Sequence, residues 1–352
     1  MGKKARELKY WEALSEGLVQ AMEADDSILV MGIGVDDPKG IFGTTLAAHK
    51  TYGDKRVLDV PISENTIAGI AIGAAMSGIR PVIVHARNDF VLLSFDQLIN
   101  NAAKLRYMSG GLHKVPLTVR AIIGRGWGQG AQHSQSLQAL FMHVPGLKVV
   151  MPATPYDAKG LLISSIQDDS PVIFIEHRRL YDYNGPVPKD PYTVPIGKGI
   201  IHRKGKDVTI VATSRMVMDA LDAAEILKGE TIEVEVIDPR TLRPLDDELI
   251  LNSVAKTGRL LIADTGWETC GVGAEISARV VENAFDCLKA PIRRISLADV
   301  PAPVSAVLEK SIYPSAEDIA DAVLSIIYGK NERVVKRPDS IGPLDKDFLG
   351  PF

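Results

Sequence analysis

The chain has 352 residues, enough for about two domains of ordinary size. Charged residues make up 24% and the broad apolar class 46%, and Lys+Arg 40 against Asp+Glu 44 leave a formal net charge of -4. That balance excludes a disordered or collagen-like chain and gives no general attraction to nucleic acid or anionic lipid. Two cysteines, Cys270 and Cys287, are too few for a disulfide scaffold and too far apart for a zinc knuckle.

The N-terminal stretch is basic and then amphipathic, without the apolar core of a signal peptide. No run approaches the roughly 18 apolar residues of a spanning helix, so the expected setting is a reducing cytoplasm without membrane contact. The spacing predicts an amphipathic helix over 10–24, a buried strand over 28–31 and a long Gly/Asp/Pro loop over 32–43, a length more often functional than idle. A strand over 57–60 leads to Ser63 at an N-cap position and a helix dense in Gly and Ala, a composition suited to close backbone packing. Strands follow over 81–84, 117–123, 148–151 and 172–175, with helices over 95–107, 136–142 and 156–167. Between 181 and 206 the composition turns to Pro, Gly, Tyr and Lys without helical period, as an interdomain connection would. The alternation then resumes with strands over 208–212, 233–237 and 259–264 and helices over 216–227, 249–256 and 274–284. Alternation of this kind predicts an α/β protein of two domains, each a mostly parallel sheet flanked by helices: 1–190 and 191–329, with an extended tail over 330–352.

Three places carry polar groups where chemistry is expected. Glu64 falls at a strand end and in the first turn of an almost chargeless helix. Spacing alone leaves two readings: a carboxylate favoured by the helix dipole, or one facing a cofactor in an apolar cleft. The segment from Gly124 to Gly130 carries four glycines in seven residues and runs into His133 just before a helix, which suits close backbone approach to a ligand. It has neither Rossmann nor P-loop spacing. His85 and Arg87 follow a buried strand and alternate with Ala86 and Asn88, so both are placed to face one cleft; a solvated strand end is the alternative. No histidine pair has helical metal-ligand spacing.

Taken together, these motifs are familiar. Pro61-Ile62-Ser63-Glu64, the helix ending Ala74-Ala75-Met76-Ser77-Gly78, the run from Asp96 to Gly111, Ala131-Gln132-His133-Ser134 and the second-half segments Asp238 to Asp246 and Lys256 to Arg259 resemble the β subunit of thiamine-diphosphate-dependent 2-oxo acid dehydrogenases of the pyruvate and branched-chain type. The resemblance covers about residues 8 to 328. It implies a pyrimidine-binding (transketolase-like) domain followed by a transketolase C-terminal-like domain. Glu64 would contact N1' of the cofactor's aminopyrimidine, Phe90 would stack near that ring, and His133 would assist intermediates and acyl transfer. Some relatives bind a structural potassium, which would map to Leu117, Ser165, Ile166, Asp168 and Ser170. The Gly-Asp-Gly segment that holds Mg²⁺ and diphosphate in this superfamily is missing, since Gly53-Asp54-Lys55 does not fit. The resemblance therefore implies an α-type partner carrying that motif, in an α2β2 assembly, with a lipoyl acyltransferase as the conventional acceptor.

The chain departs from the pattern on the active-site side. Relatives carry a Gly-Glu-Asp or Gly-Glu-Glu after the first strand, where this chain has Gly32-Ile33-Gly34, and Glu-Phe-Met-Thr-Phe where it has Val84-His85-Ala86-Arg87-Asn88. Ile33, His85, Arg87 and Asn88 are thus expected around the substrate. The leading expectation is a β subunit that decarboxylates a 2-oxo acid and transfers the acyl unit. The alternatives are a two-subunit transketolase-like or carboligating enzyme on a polar or anionic substrate, and a non-catalytic scaffold paralogue, against which the retained Glu64 and His133 argue.

Overall fold

Parallel strands need a crossover between them, and helices that cover both faces of such a sheet leave its strands buried on both sides. The apolar runs and the amphipathic stretches between them fold in that way. The computed structural model describes residues 6–37, 39, 41–124 and 128–329, so the tail over 330–352 and residues 125–127 of the glycine-rich loop lie outside the described residues. In chain order the strands are β1 (Glu7–Lys9), β2 (Ile28–Gly32), β3 (Val57–Asp59), β4 (Arg80–His85), β5 (Thr118–Ile123), β6 (Lys148–Val150), β7 (Val172–His177), β8 (Asn184–Pro186), β9 (Ile200–Arg203), β10 (Val208–Ala212), β11 (Val234–Asp238), β12 (Thr241–Arg243), β13 (Leu260–Trp267) and β14 (Arg293–Leu297).

The chain divides into two units. The first takes in residues up to 124, then 132–198 and Arg240–Pro244; the second takes in 128–131, Gly199–Pro239 and the chain from Leu245 on. The first holds a seven-stranded sheet ordered β12-β6-β7-β5-β4-β2-β3, parallel except for β12, which runs antiparallel to β6. The second holds a five-stranded sheet ordered β14-β13-β10-β11-β9, parallel except for β9 against β11. The expected architecture of two mostly parallel sheets is therefore what forms. The connection leaves the first unit at Lys198, a little beyond the expected 190.

The first unit opens with the helices α1 (Tyr10–Ala24), α2 (Leu46–Tyr52), α3 (Glu64–Met76) and α4 (Asn88–Val91), of which α3 and α4 carry site residues. On α1, Tyr10, Leu14, Leu18 and Met22 recur at helical spacing and are fully buried, each contributing about 1.5–3 kcal/mol by removal from water. The helix over 95–107 instead begins as a π-helix, Asp96–Ala102, and becomes α-helical at Ala103–Met108. The wide turn sets Gln97 against Gly69 of α3, where a Cβ would lie 3.6 Å from the Gln97 Oε1.

In the middle of the first sheet, β5 and β7 carry a fully buried ion pair. Arg120 donates to both Glu176 oxygens at 2.5 and 2.9 Å, and the Tyr181 hydroxyl donates to Glu176 at 2.8 Å. Desolvating two charges is unfavourable, and only bidentate geometry with the extra donor offsets it. Burial pushes the Tyr181 phenol well above its ordinary value. Among the described residues no helix is long and apolar enough to cross a membrane.

Candidate active site

Ligands of open parallel sheets sit outside the carboxyl ends of the strands. In the first unit the ends of β2, β3 and β4, with the start of α3 and with α4, surround a cleft of about 340 Å³. Its walls are Val60, Pro61, Ile62, Ile67, Ile83, Val84, Ala86 and Leu93, together with Ile33, Glu64, His85 and Phe90. Glu64 and His85 are the only ionisable side chains in this lining, and no lysine or arginine contributes to it.

Glu64 is buried in the first turn of α3, where the N-terminal dipole favours a carboxylate. Ser63 turns its hydroxyl to Thr66 at 2.9 Å and does not cap the helix. Among the described residues no group hydrogen-bonds to or pairs with the Glu64 carboxylate, which opens on the cleft. This combination leaves the carboxylate available to a group from outside.

His85 is the last residue of β4 and is buried, and among the described residues its Nε2 has no hydrogen-bond partner. Burial alone lowers the imidazole to about 4, so at neutral pH it faces the cleft uncharged. Strand alternation holds only while the strand lasts. β4 stops at His85, Arg87 is the N-cap of α4, and the cleft takes in His85 and Ala86 but neither Arg87 nor Asn88. The Arg87 guanidinium lies instead over the Phe42 ring, 5.5 Å from its centroid.

Phe90 projects from α4 into the cleft and meets the His133 ring edge-on, with centroids 5.3 Å apart at 89°. The structure thus brings Glu64, Phe90, His85 and Ile33 to one cavity and sets His133 at its margin, through Phe90. Two features hold the His133 segment. Gln135 donates from its backbone N–H and from Nε2 to Asp89 Oδ1 at 3.3 and 2.8 Å, and Arg178 reaches the carbonyls of Gly124 and His133. Gly124 has φ 101°, and a Cβ there would lie 2.7 Å from the His177 ring, so only glycine allows the loop to start in this way. Burial raises the Asp89 carboxyl, partly offset by the Gln135 hydrogen bonds. The Asp89–Gln135 tie was absent from the sequence reading; its one signal was the second glutamine of Ala131-Gln132-His133-Ser134-Gln135.

The positions expected around potassium lie near Arg80. Its guanidinium donates to the carbonyls of Ile166 and Asp168 at 3.1 Å each and to the Asp169 carboxylate at 3.0 Å. The Leu117 carbonyl accepts from the Val172 N–H, that of Ser165 accepts from Asp168, and the Ser170 hydroxyl accepts from Arg106. Each of these oxygens therefore has one partner and keeps a second lone pair.

Comparison with known proteins bears on the family and the fold. The transketolase pyrimidine binding domain matches residues 6–184, and the transketolase C-terminal domain matches residues 197–319. The β subunit of acetoin:2,6-dichlorophenolindophenol oxidoreductase from Bacillus subtilis (strain 168) is 43% identical over 335 residues, 92% of this chain and 98% of the relative. The pyruvate dehydrogenase E1 component subunit beta of Rickettsia felis is 44% identical over 317 residues, 90% of this chain and 97% of the relative. Among solved structures, a split gene transketolase described as an inactive beta4 tetramer superposes with a TM-score of 0.76 at 23% identity, covering 91% of this chain and 98% of its own. Transketolase from Leishmania mexicana gives a TM-score of 0.67 at 14% identity, covering 96% of this chain and 48% of its own. These last two likenesses concern the fold.

Proposed function

The chain belongs to the transketolase-like family of thiamine-dependent β subunits that includes the pyruvate dehydrogenase and acetoin oxidoreductase subunits, and from that premise we propose that it supplies half of the active site of an enzyme that decarboxylates a 2-oxo acid and transfers the acyl unit, conventionally to lipoamide. The observation that carries this reading is Glu64, a buried carboxylate without a hydrogen-bond or ionic partner among the described residues, opening on an apolar cleft beside Phe90. The cleft suits a flat heteroaromatic ring with one basic nitrogen. Apolar walls exclude water, Phe90 offers a ring, and Glu64 offers a carboxylate acceptor.

Thiamine diphosphate, when bound, supplies a nucleophilic C2 carbon and takes up the electron pair released on decarboxylation. Glu64 would hold a proton against N1' of the aminopyrimidine and so favour the tautomer whose 4'-nitrogen is basic. Phe90 would cover that ring. His133, at the cleft margin, would donate or accept a proton at the substrate's oxygen. The diphosphate needs cations, and the cleft lining offers none. We therefore assign the Mg²⁺ site to an α-type subunit carrying Gly-Asp-Gly, in an α2β2 assembly. α3 fits such a contact, because Ile70 and Met76 stand exposed on a helix that also carries the small residues Gly69, Gly73 and Ala74. A potassium ion would take the second lone pairs of the carbonyls that Arg80 already serves, and a rise in melting temperature in K⁺ over Na⁺ tests it. A cytoplasmic setting accords with both cysteines being unpaired.

A second reading, a transketolase-like or carboligating enzyme on a polar substrate, is favoured by the unpartnered Nε2 of His85 in an otherwise apolar wall. One experiment tests both. Both subunits are purified together with cofactor and screened against 2-oxo acids and ketose phosphates, with an artificial electron acceptor and with aldehydes. Reduction of the acceptor by a 2-oxo acid supports the first reading, and C–C bond formation with an aldehyde supports the second. Absence of C2 hydrogen exchange in the bound cofactor refutes both.

A further inference from the structure

A charge is kept in a protein interior only where something neutralises it, and buried polar atoms nearly always find partners. Arg120 satisfies this with Glu176, and Arg80 with Asp169 and Asp25. Arg87 does not. It is 5% exposed, yet among the described residues it forms no ion pair. A guanidinium has five N–H groups. One, on Nη1, reaches the Ala86 carbonyl; Nε is buried without a partner, and one face rests on Phe42. The next residue repeats the pattern, for Asn88 is fully buried and neither its Oδ1 nor its Nδ2 is hydrogen-bonded. Besides the Tyr181 phenol, the group that acts electrostatically on Arg87 is the Asp89 carboxyl, which forms no ion pair with it; its Oδ1 is committed to Gln135, its Oδ2 is buried without a hydrogen-bond partner among the described residues, and burial disfavours its charged form.

Among the described residues four buried atoms without a hydrogen-bond partner, Arg87 Nε, Asn88 Oδ1 and Nδ2 and Asp89 Oδ2, fall on three consecutive residues that begin one past the cleft-lining Ala86 at the carboxyl end of β4, and mark a place prepared for a group from outside. We propose that Arg87 and Asn88 receive an anionic group, a carboxylate or a phosphate ester, carried by the substrate at the end remote from its reacting carbonyl. The guanidinium fork matches two oxygens of such a group, the Asn88 amide adds a donor, and its Oδ1 is left to accept from a neighbouring hydroxyl. The substrate is then a 2-oxo acid or ketose with a second, charged end. This rests on the reading of the adjacent cleft as the thiamine site.

The test uses the assembled two-subunit enzyme with cofactor. Calorimetry with inorganic phosphate and with glutarate measures anion binding directly, for wild type, Arg87→Met and Arg87→Lys. In parallel, kcat/KM is compared for 2-oxoglutarate against 2-oxopentanoate and for a ketose phosphate against the free ketose. The expected result is binding of one of the two anions, lost in Arg87→Met and weakened in Arg87→Lys. A ten- to hundredfold preference for the charged member of the matching pair should collapse toward one in Arg87→Met. Which anion binds distinguishes carboxylate from phosphate. Binding of neither anion to wild type, equal binding by Arg87→Met, or equal use of charged and neutral members overturns the proposal. If C2 exchange is absent, the thiamine reading fails separately while the calorimetry still reports on Arg87.

Discussion

His85 makes a pH-dependent contribution whose sign and size follow from its surroundings. It ends β4 buried, without a hydrogen bond at Nε2, and burial alone lowers its imidazole from the ordinary 6.5 to about 4. An unfolded chain takes up the proton as pH falls through about 6.5, whereas the folded chain refuses it until about 4. Between those values the unfolded state binds more protons, so stability falls as pH drops through the window and is level on either side of it. The full difference is about 3 kcal/mol, of which about 2 kcal/mol is lost between pH 7 and pH 5. His85→Leu removes the titrating group at nearly constant volume and forfeits no hydrogen bond at Nε2. Urea unfolding of the purified chain at pH 7, 6 and 5 should therefore show the variant gaining on wild type by about 2 kcal/mol across that range. Carboxylates shared by both proteins cancel in the difference. A gap that stays constant with pH would refute the account of His85 as a buried neutral ring.

Glu64→Gln should leave fold and assembly intact while C2 exchange of bound cofactor and turnover fall together by about two decades or more, the scale of a positioned acid–base group. Wild-type exchange would reduce Glu64 to a first-turn carboxylate worth about 0.3–1 kcal/mol of stability. The purified chain without its partner should show no micromolar binding of thiamine diphosphate by calorimetry, because its cleft holds no cation for the diphosphate. Glu176→Gln strands the buried Arg120 and should cost about 3–5 kcal/mol in urea unfolding at pH 7; a loss below about 1 kcal/mol would mean that Arg120 finds another partner.

The strands were legible where the sheet is buried on both faces. Val172 to Ile175 is an unbroken apolar run and Val208 to Ala212 is interrupted only by Thr209, and both lie within strands of the structure. Elements that depend on distant partners were not. β12 is three residues, Thr241–Arg243, that follow a strand of the second unit yet join the edge of the first sheet, a pairing no local pattern encodes. β14 begins with Arg293 and Arg294, which hide its apolar end. The helix Ala316–Tyr328 did have a signal, the Ser315/Asp318 capping box. At the site, residue types spoke clearly and distances did not. Glu64 and Phe90 lie on different elements, and their meeting in one cleft, with His133 against the Phe90 edge, comes from the sheet order. Alternation overreached at Arg87, since it ignores where the strand ends.

Two sets of unsatisfied groups, one at the start of α3 and one where β4 passes into α4, are opposite in charge. Glu64 is an acceptor in an apolar wall, tolerated there by the helix dipole and completed by a donor. Arg87 and Asn88 are chiefly donors, completed by an anion. One compact ligand could serve both only by carrying a protonated nitrogen and an anion at fixed separation. Two ligands would do so without that constraint, as proposed above: a heteroaromatic cofactor at Glu64 and an anionic substrate at Arg87. The neutral His85 lies between these positions in sequence, on the wall of the first, where a charged imidazole would attract the substrate's anion away from Arg87. On that proposal, a neutral His85 would leave Arg87 the stronger attraction for the anion.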